Sequence, residues 1–157
     1  MEVTDIIIKP SFKIELAGPN FDVTKIVPAL ESVAPLYPEF NSWFKDKFLS
    51  SFYKGKRDIL LAHNGDKLCG LSLLKRSPEE NKICTFYVMP EFQGKALGSQ
   101  LMDKSLDYFQ GKDVLISVSN ERIAELYPVL AAKGFVLDEC VEHMYRYDNI
   151  EHFFKTK

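Results

Sequence analysis

The run Gln93-Gly94-Lys95-Ala96-Leu97-Gly98-Ser99 has the residue types and spacing of an anion-binding turn. Small side chains at positions 94, 96, 98 and 99 leave the backbone N–H groups open. A helix entered here presents first amides that lack an intrahelical partner, at the positive end of its dipole. Such a socket takes a phosphate or pyrophosphate, and Lys95 adds a mobile positive charge. Two other nucleotide loops do not fit. A P-loop needs a glycine, four residues and then Gly-Lys-Ser/Thr, whereas Gly94-Lys95 lacks both the upstream glycine and the hydroxyl, and the dinucleotide fingerprint G-x-G-x-x-G is also absent. The competing reading is a tight strand-to-helix turn with no ligand.

The flanking elements suit a binding role. Residues Ile83 to Met89 are nearly all apolar or β-branched, as in a strand covered on both faces, and Pro90 ends it. Leu97, Leu101, Leu106 and Phe109 then recur at helical spacing, with Gln100, Asp103, Lys104 and Asp107 between them. Upstream, 58–63 and 67–74 read as strands joined at Asn64-Gly65, a strong hairpin signal, and 77–81 as the next turn. Three antiparallel strands therefore precede the glycine loop. Downstream, Val114 to Val118 is a fifth strand closed by Ser119-Asn120. A cleft should open where it parts from the strand at 83–89. A helix over 121–133 and a last strand over 136–147 complete the order.

The segment Val88-Met89-Pro90-Glu91-Phe92-Gln93-Gly94-Lys95-Ala96-Leu97-Gly98 resembles the acyl-CoA signature of the GCN5-related N-acetyltransferase (GNAT) superfamily, Q/R-x-x-G-x-G/A after a central strand. Ala96 replaces the first motif glycine. The resemblance implies an α/β (α+β) fold, a mixed and mostly antiparallel sheet of six to seven strands with about four helices and a strand split that holds acyl-CoA. It implies acetyl-CoA as co-substrate, its pyrophosphate on the amides of Gln93, Gly94, Lys95, Ala96, Leu97, Gly98 and Ser99. The pantetheine arm would lie along Phe86, Tyr87 and Val88 and reach Asn120, which alternatively caps a helix. Tyr127, seven residues beyond Asn120, falls where family members carry a tyrosine that protonates the departing thiolate. The first two helices border the acceptor in this family, which makes Tyr37 and Trp43 candidate substrate-binding residues.

The implied reaction is direct transfer of acetyl to a primary amine of a small molecule or peptide in a ternary complex. The amine must lose a proton, and Glu80, at the start of the strand before the loop, is the candidate base. The alternative is a catalytically inactive module that senses acyl-CoA or binds a partner. Cys84 lacks a neighbouring histidine in sequence and is not read as a nucleophile.

The rest of the chain supports one domain, 1–157. Either 6–8 or 12–16 should form the first strand. A helix starts near Asp22 or Thr24, becomes regular near Val27 and stops before Pro35. Phe40, Trp43, Phe44, Phe48 and Phe52 form an aromatic stripe at helical spacing, mainly core in character. Lys45, Lys47, Lys54, Lys56 and Arg57 cluster beside it, as a solvated face or as a seat for an acidic substrate or the CoA 3′-phosphate. A net charge of −2 gives no electrostatic reason to bind nucleic acid or an anionic membrane. Cys69, Cys84 and Cys140 read as buried reduced thiols, no metal is expected, and the N-terminus is unlike a signal peptide, all pointing to the cytoplasm. The state is monomer or homodimer, with the tail 149–157 read as a short segment whose exposed Phe153 and Phe154 dock on a neighbour.

Overall fold

A computed structural model describes residues 11–146 and 148–156. Seven strands form one sheet in the order β1-β2-β3-β4-β5-β7-β6. These are β1 Lys13–Leu16, β2 Arg57–Asn64, β3 Lys67–Arg76, β4 Asn81–Val88, β5 Leu115–Ser119, β6 Phe135–Glu142 and β7 Ile150–Thr156. All neighbours are antiparallel except β4 and β5, which run parallel. That parallel pair has only two registered positions, Lys82 with Leu115 and Ile83 with Ile116. Beyond Ile83 the strands part, and the sheet is split toward their carboxyl ends.

Each face of the sheet carries its own core. On one face the helices α4 Leu97–Tyr108 and α5 Ile123–Ala132 cover Ile83, Phe86, Val88, Ile116 and Val118. A buried hydrogen bond of 3.0 Å from Ser105 Oγ to Ser72 Oγ ties α4 to β3. On the other face lie α1 Val27–Leu30, α2 Phe40–Trp43 and α3 Leu49–Tyr53, over Ile59, Leu61, Leu71, Leu73 and Tyr87. A π-helical turn, Phe44–Phe48, joins α2 to α3 in one continuous run. The aromatic stripe becomes a ladder, with Phe40 on Phe44, Phe44 on Phe48 and Phe48 on Phe52 at centroid distances of 6.3, 5.6 and 6.5 Å. Its i, i+4 spacing stacks the rings along the helix.

The hairpin, the three antiparallel strands before the loop and the fifth strand all form as the sequence implies. The first strand is β1, within 12–16, while 6–8 lies outside the described residues. Pro128 sits inside α5 without ending it.

Two expectations are corrected. The tail is not a short exposed segment: 150–156 is β7, inserted between β5 and β6, with Phe153 and Phe154 buried. The last strand accordingly stops at Glu142 instead of reaching 147, because the chain must turn back to form β7; Tyr147 itself lies outside the described residues. The thiols also differ from expectation. All three are free, but only Cys69 is fully buried, Cys84 is half-buried, and Cys140 on the edge strand β6 is exposed. Among the described residues no helix is long and apolar enough to cross a membrane.

Candidate active site

The sheet split has a cavity on each face. On the α4–α5 face, about 290 Å³ is bounded by Phe86, Val88, Gln93, Gly94, Gly98 and Glu125. The loop folds as its small residues allow. Gly94 (φ +76°) and Ala96 (φ +66°) both take left-handed backbone angles and turn the chain into α4. A left-handed alanine costs roughly 1–2 kcal/mol, so Ala96 sits in the conformation for which the motif glycine is suited. The first helical bond is Gln100 N to Ala96 O at 3.2 Å, which leaves the amides of Leu97, Gly98 and Ser99 at the open end of the helix. A side chain at Gly98 would meet only Val88 Cγ2, at 4.0 Å.

The β4 edge at the split is held by side chains. The Phe86 carbonyl accepts from Arg122 Nη2 at 2.7 Å and the Val88 carbonyl from Gln93 Nε2 at 3.0 Å. Glu125 links both donors, at 3.2 Å from Arg122 Nε and 3.0 Å from Gln93 Nε2. These carbonyls form the strand edge to which an extended amide ligand would hydrogen-bond.

On the opposite face a larger cavity of about 580 Å³ is walled by Tyr37, Phe40, Trp43, Thr85, Ser117 and Tyr145, with charged groups around them. The consecutive residues Cys84 and Thr85 both belong to this wall because of a β-bulge: Leu73 pairs with Thr85 but Leu74 with Ile83, so Cys84 has no partner on β3. Burial pushes its thiol up, away from the thiolate form. Glu80 also lines this cavity, in an ion pair with Lys75 at 2.9 Å, and that bond first of all lowers its pKa.

The carboxylate with the opposite character was missed in the sequence. Glu151, on β7, is 0 % exposed and receives the Tyr37 hydroxyl at 3.0 Å. Burial, the dominant influence, pushes its carboxyl up from the ordinary range, while Ser117, Tyr37 and Asn149 pull it back. Tyr37 and Tyr145 both have raised pKa values, for which burial is again the first cause and the Glu151 charge the second. One signal existed: in Ile150-Glu151-His152-Phe153-Phe154 a carboxylate stands within an apolar, strand-forming run.

The sequence-derived candidates divide. Phe86, Val88, Gln93, Gly94 and Gly98 meet at the smaller cavity, and Tyr37, Trp43 and Glu80 at the larger. Tyr87 is buried on the α1–α3 face, with the Arg122 guanidinium 5.6 Å from its ring. Lys95 is exposed, Ser99 half-buried and Leu97 part of the core. Asn120 engages His152 Nε2 at 3.2 Å and borders neither cavity. Tyr127 is 53 % exposed, 6.1 Å from the Phe154 ring, and likewise borders neither.

Comparison with known proteins agrees with this architecture. A GNAT-family protein from Desulfovibrio desulfuricans superposes with a TM-score of 0.73 at 14 % identity, over 94 % of this chain and 99 % of its own. A GNAT family acetyltransferase from Elizabethkingia anophelis, solved with acetyl-CoA bound, gives 0.68 at 16 % identity, over 95 % and 99 %. A Bacillus subtilis acetyltransferase in complex with CoA gives 0.62 at 18 %, over 94 % and 99 %. These likenesses define the fold. No curated protein matches the chain. The family model for the acetyltransferase (GNAT) family matches residues 27–129, and the chain belongs to that family.

Proposed function

We propose that the protein is an acetyl-CoA-dependent N-acetyltransferase that moves acetyl directly to a primary amine of a small molecule or peptide. The observation that carries this reading is the pair of cavities on opposite faces of one sheet split. Acetyl-CoA enters on the α4–α5 face, its pyrophosphate on the Gly94–Ser99 turn and its pantetheine arm along Phe86 and Val88. Arg122 and Gln93 exchange their bonds to those carbonyls for others as the arm arrives. The amine occupies the larger cavity and meets the thioester between Thr85 and Ser117.

The amine must be neutral to attack. Its proton passes to the Tyr37 oxygen as the Tyr37 proton passes to Glu151, whose raised pKa brings it nearer the operating pH of a general base. Glu80 is less suited, because Lys75 keeps it a stable carboxylate. The nitrogen attacks the thioester carbonyl and the resulting oxyanion is held by a β4 amide, with the Val88 N–H the candidate. Collapse breaks the carbon–sulfur bond. The CoA thiolate then takes a proton from a phenol, a role we assign to Tyr145, on the cavity wall, in preference to the exposed Tyr127, and the second proton of the acetylated nitrogen restores that phenol.

Calorimetric titration with acetyl-CoA, CoA and ATP tests the cofactor half. Micromolar binding of the CoA species, lost in Gly98→Trp, is expected, together with thiol release when amines are added. Absence of CoA binding in the folded protein would sink the reading. Binding without turnover on any amine would favour an acyl-CoA sensor.

A further inference from the structure

Three cations stand side by side on the floor of the larger cavity. Arg57 on β2 is registered directly opposite Lys75 on β3, and Lys75 directly opposite Lys82 on β4. All three line the cavity. Directly opposed like charges destabilise a sheet, so such a row calls for negative charge nearby. Glu80 supplies part of it, in an ion pair with Lys75 and with a longer-range attraction to Lys82 and Arg57, so one carboxylate is shared among three cations. Among the described residues Arg57 hydrogen-bonds only the weak acceptor Cys84 Sγ, at 3.5 Å, and it is held over the rings of Trp43 and Phe48 at 5.6 and 5.5 Å. Lys82 has no hydrogen bond or ion pair among the described residues. Glu39 and Asp46, on the outer wall, are exposed and form no ion pair with the row among the described residues. Lys82 also faces Glu151, on whose titration its charge has a minor influence.

The anion that completes this row is not a phosphate of CoA if the cofactor binds as proposed. The Gly94–Ser99 turn opens on the α4–α5 face, and the row lies on the other face with the aromatic ladder. It stands instead at the end of the cavity away from the split. From Thr85 back to Lys82 is three residues of strand, on the order of 10 Å, and the long cationic side chains shorten the gap.

We propose that the acceptor is amphoteric: an amine bearing a carboxylate several bonds away, as in a short peptide or an ω-amino acid. Arg57 and Lys82 bind the carboxylate, Trp43, Tyr37 and Tyr145 wall the apolar middle, and the amine is left at the split. This assignment rests on the acetyltransferase reading for the position of the amine, but the anion site has its own readout. Trp43 is the sole tryptophan of the chain and borders the cavity, so its fluorescence reports occupancy without turnover.

The test titrates the CoA-saturated protein with phenylalanylglycine and with its C-terminal amide, which differ only in the carboxylate. The acid should bind at least about tenfold more tightly than the amide. Lys82→Met should reduce that preference toward unity and Lys82→Arg should retain it, with thermal unfolding as the check that each variant is folded. Arg57→Met, which also loses a ring contact, gives a second measure if Lys82→Met is misfolded. Equal affinity for the two ligands, binding of neither, or a preference untouched in both methionine variants overturns the proposal. Acetylation of both ligands at equal efficiency does so too while leaving the acetyltransferase reading intact. A carboxylate preference without acetyl transfer would instead sink that reading and leave the anion site standing.

Discussion

The two sides of the sheet split are built differently. The side proposed to take the cofactor is built around a local device, one strand end, one turn and the start of α4, and is closed by Glu125, Leu126 and Val129 of α5, with a single carboxylate bridged to Gln93 and Arg122. The side proposed to take the acceptor is assembled from remote parts of the chain: α2 and the segment before it, the four neighbouring strands β2 to β5, and the turn and strand at the far end of the sequence. It concentrates aromatic rings and charges. One sheet split thus carries a compact turn-and-helix socket on one face and a pocket assembled from distant segments on the other. Perturbations should separate accordingly into those that move cofactor affinity and those that move chemistry and acceptor choice.

The largest effect is expected at Glu151. Glu151→Gln keeps the shape but removes the proposed base, so kcat should fall by about 10²–10⁴, with acetyl-CoA affinity by calorimetry unchanged. In the native protein the rate should decline as pH falls through the raised pKa of Glu151, a limb the variant lacks. Stability should move in the opposite sense. The folded protein holds the Glu151 proton to higher pH than the unfolded chain, whose glutamates titrate near about 4.3. Stability contributed by this group is therefore lost as pH rises from there through the raised value. Above that window Glu151→Gln should be the more stable protein in urea, and near the unfolded value the difference should shrink. An unchanged kcat would return the proton to another acceptor.

A pair of identical substitutions tests how independent the cofactor side is of the scaffold beneath it. A Cβ at Gly70, on β3, would stand 2.9 Å from the Tyr87 carbonyl oxygen and 3.5 Å from Leu101 Cδ2, and a backbone oxygen in a paired strand has little room to yield. Gly70→Ala should cost about 1–3 kcal/mol, read as a lower urea midpoint. Gly98→Ala, whose new methyl meets only Val88 Cγ2 and stands where the family signature admits alanine, should leave both the midpoint and CoA binding near the native values. Loss of stability in both would mean that the turn is part of the scaffold.

The same division explains what could be read from the chain. The hairpin at Asn64-Gly65, the β4 run and the glycine turn are local patterns, and each formed where residue spacing placed it. The acceptor wall is not local. Tyr37 and Trp43 were reachable only through the family resemblance, and Glu151 was hidden because a strand entering the sheet from the chain end looks, in sequence, like an exposed tail. Its burial depends on β7 lying between β5 and β6, a topological fact without a short-range signal. Thr85 illustrates the converse. Alternation along this legible strand puts Glu80, Lys82 and Cys84 on one side, where the larger cavity has them, yet a bulge turns Thr85 to the same cavity, and alternation alone cannot register a bulge.

The smallest expected effect bears on the one departure from the family loop. Ala96 holds φ +66° and ψ 5°, and its side chain is exposed, so its methyl brings backbone strain with little packing in return. Replacement by glycine relieves roughly 1–2 kcal/mol of left-handed strain, offset by about 0.4–1 kcal/mol of extra freedom in the unfolded chain. The net gain of about 0.5–1 kcal/mol corresponds to a rise in Tm of about 1–4 °C for a domain of this size. Because the change lies wholly on the cofactor side, the preference between phenylalanylglycine and its amide should not move. A tighter acetyl-CoA complex in Ala96→Gly would show that the methyl also stands in the path of the phosphates. A fall in Tm would mean that the loop is set by contacts of Ala96 and not by the turn geometry.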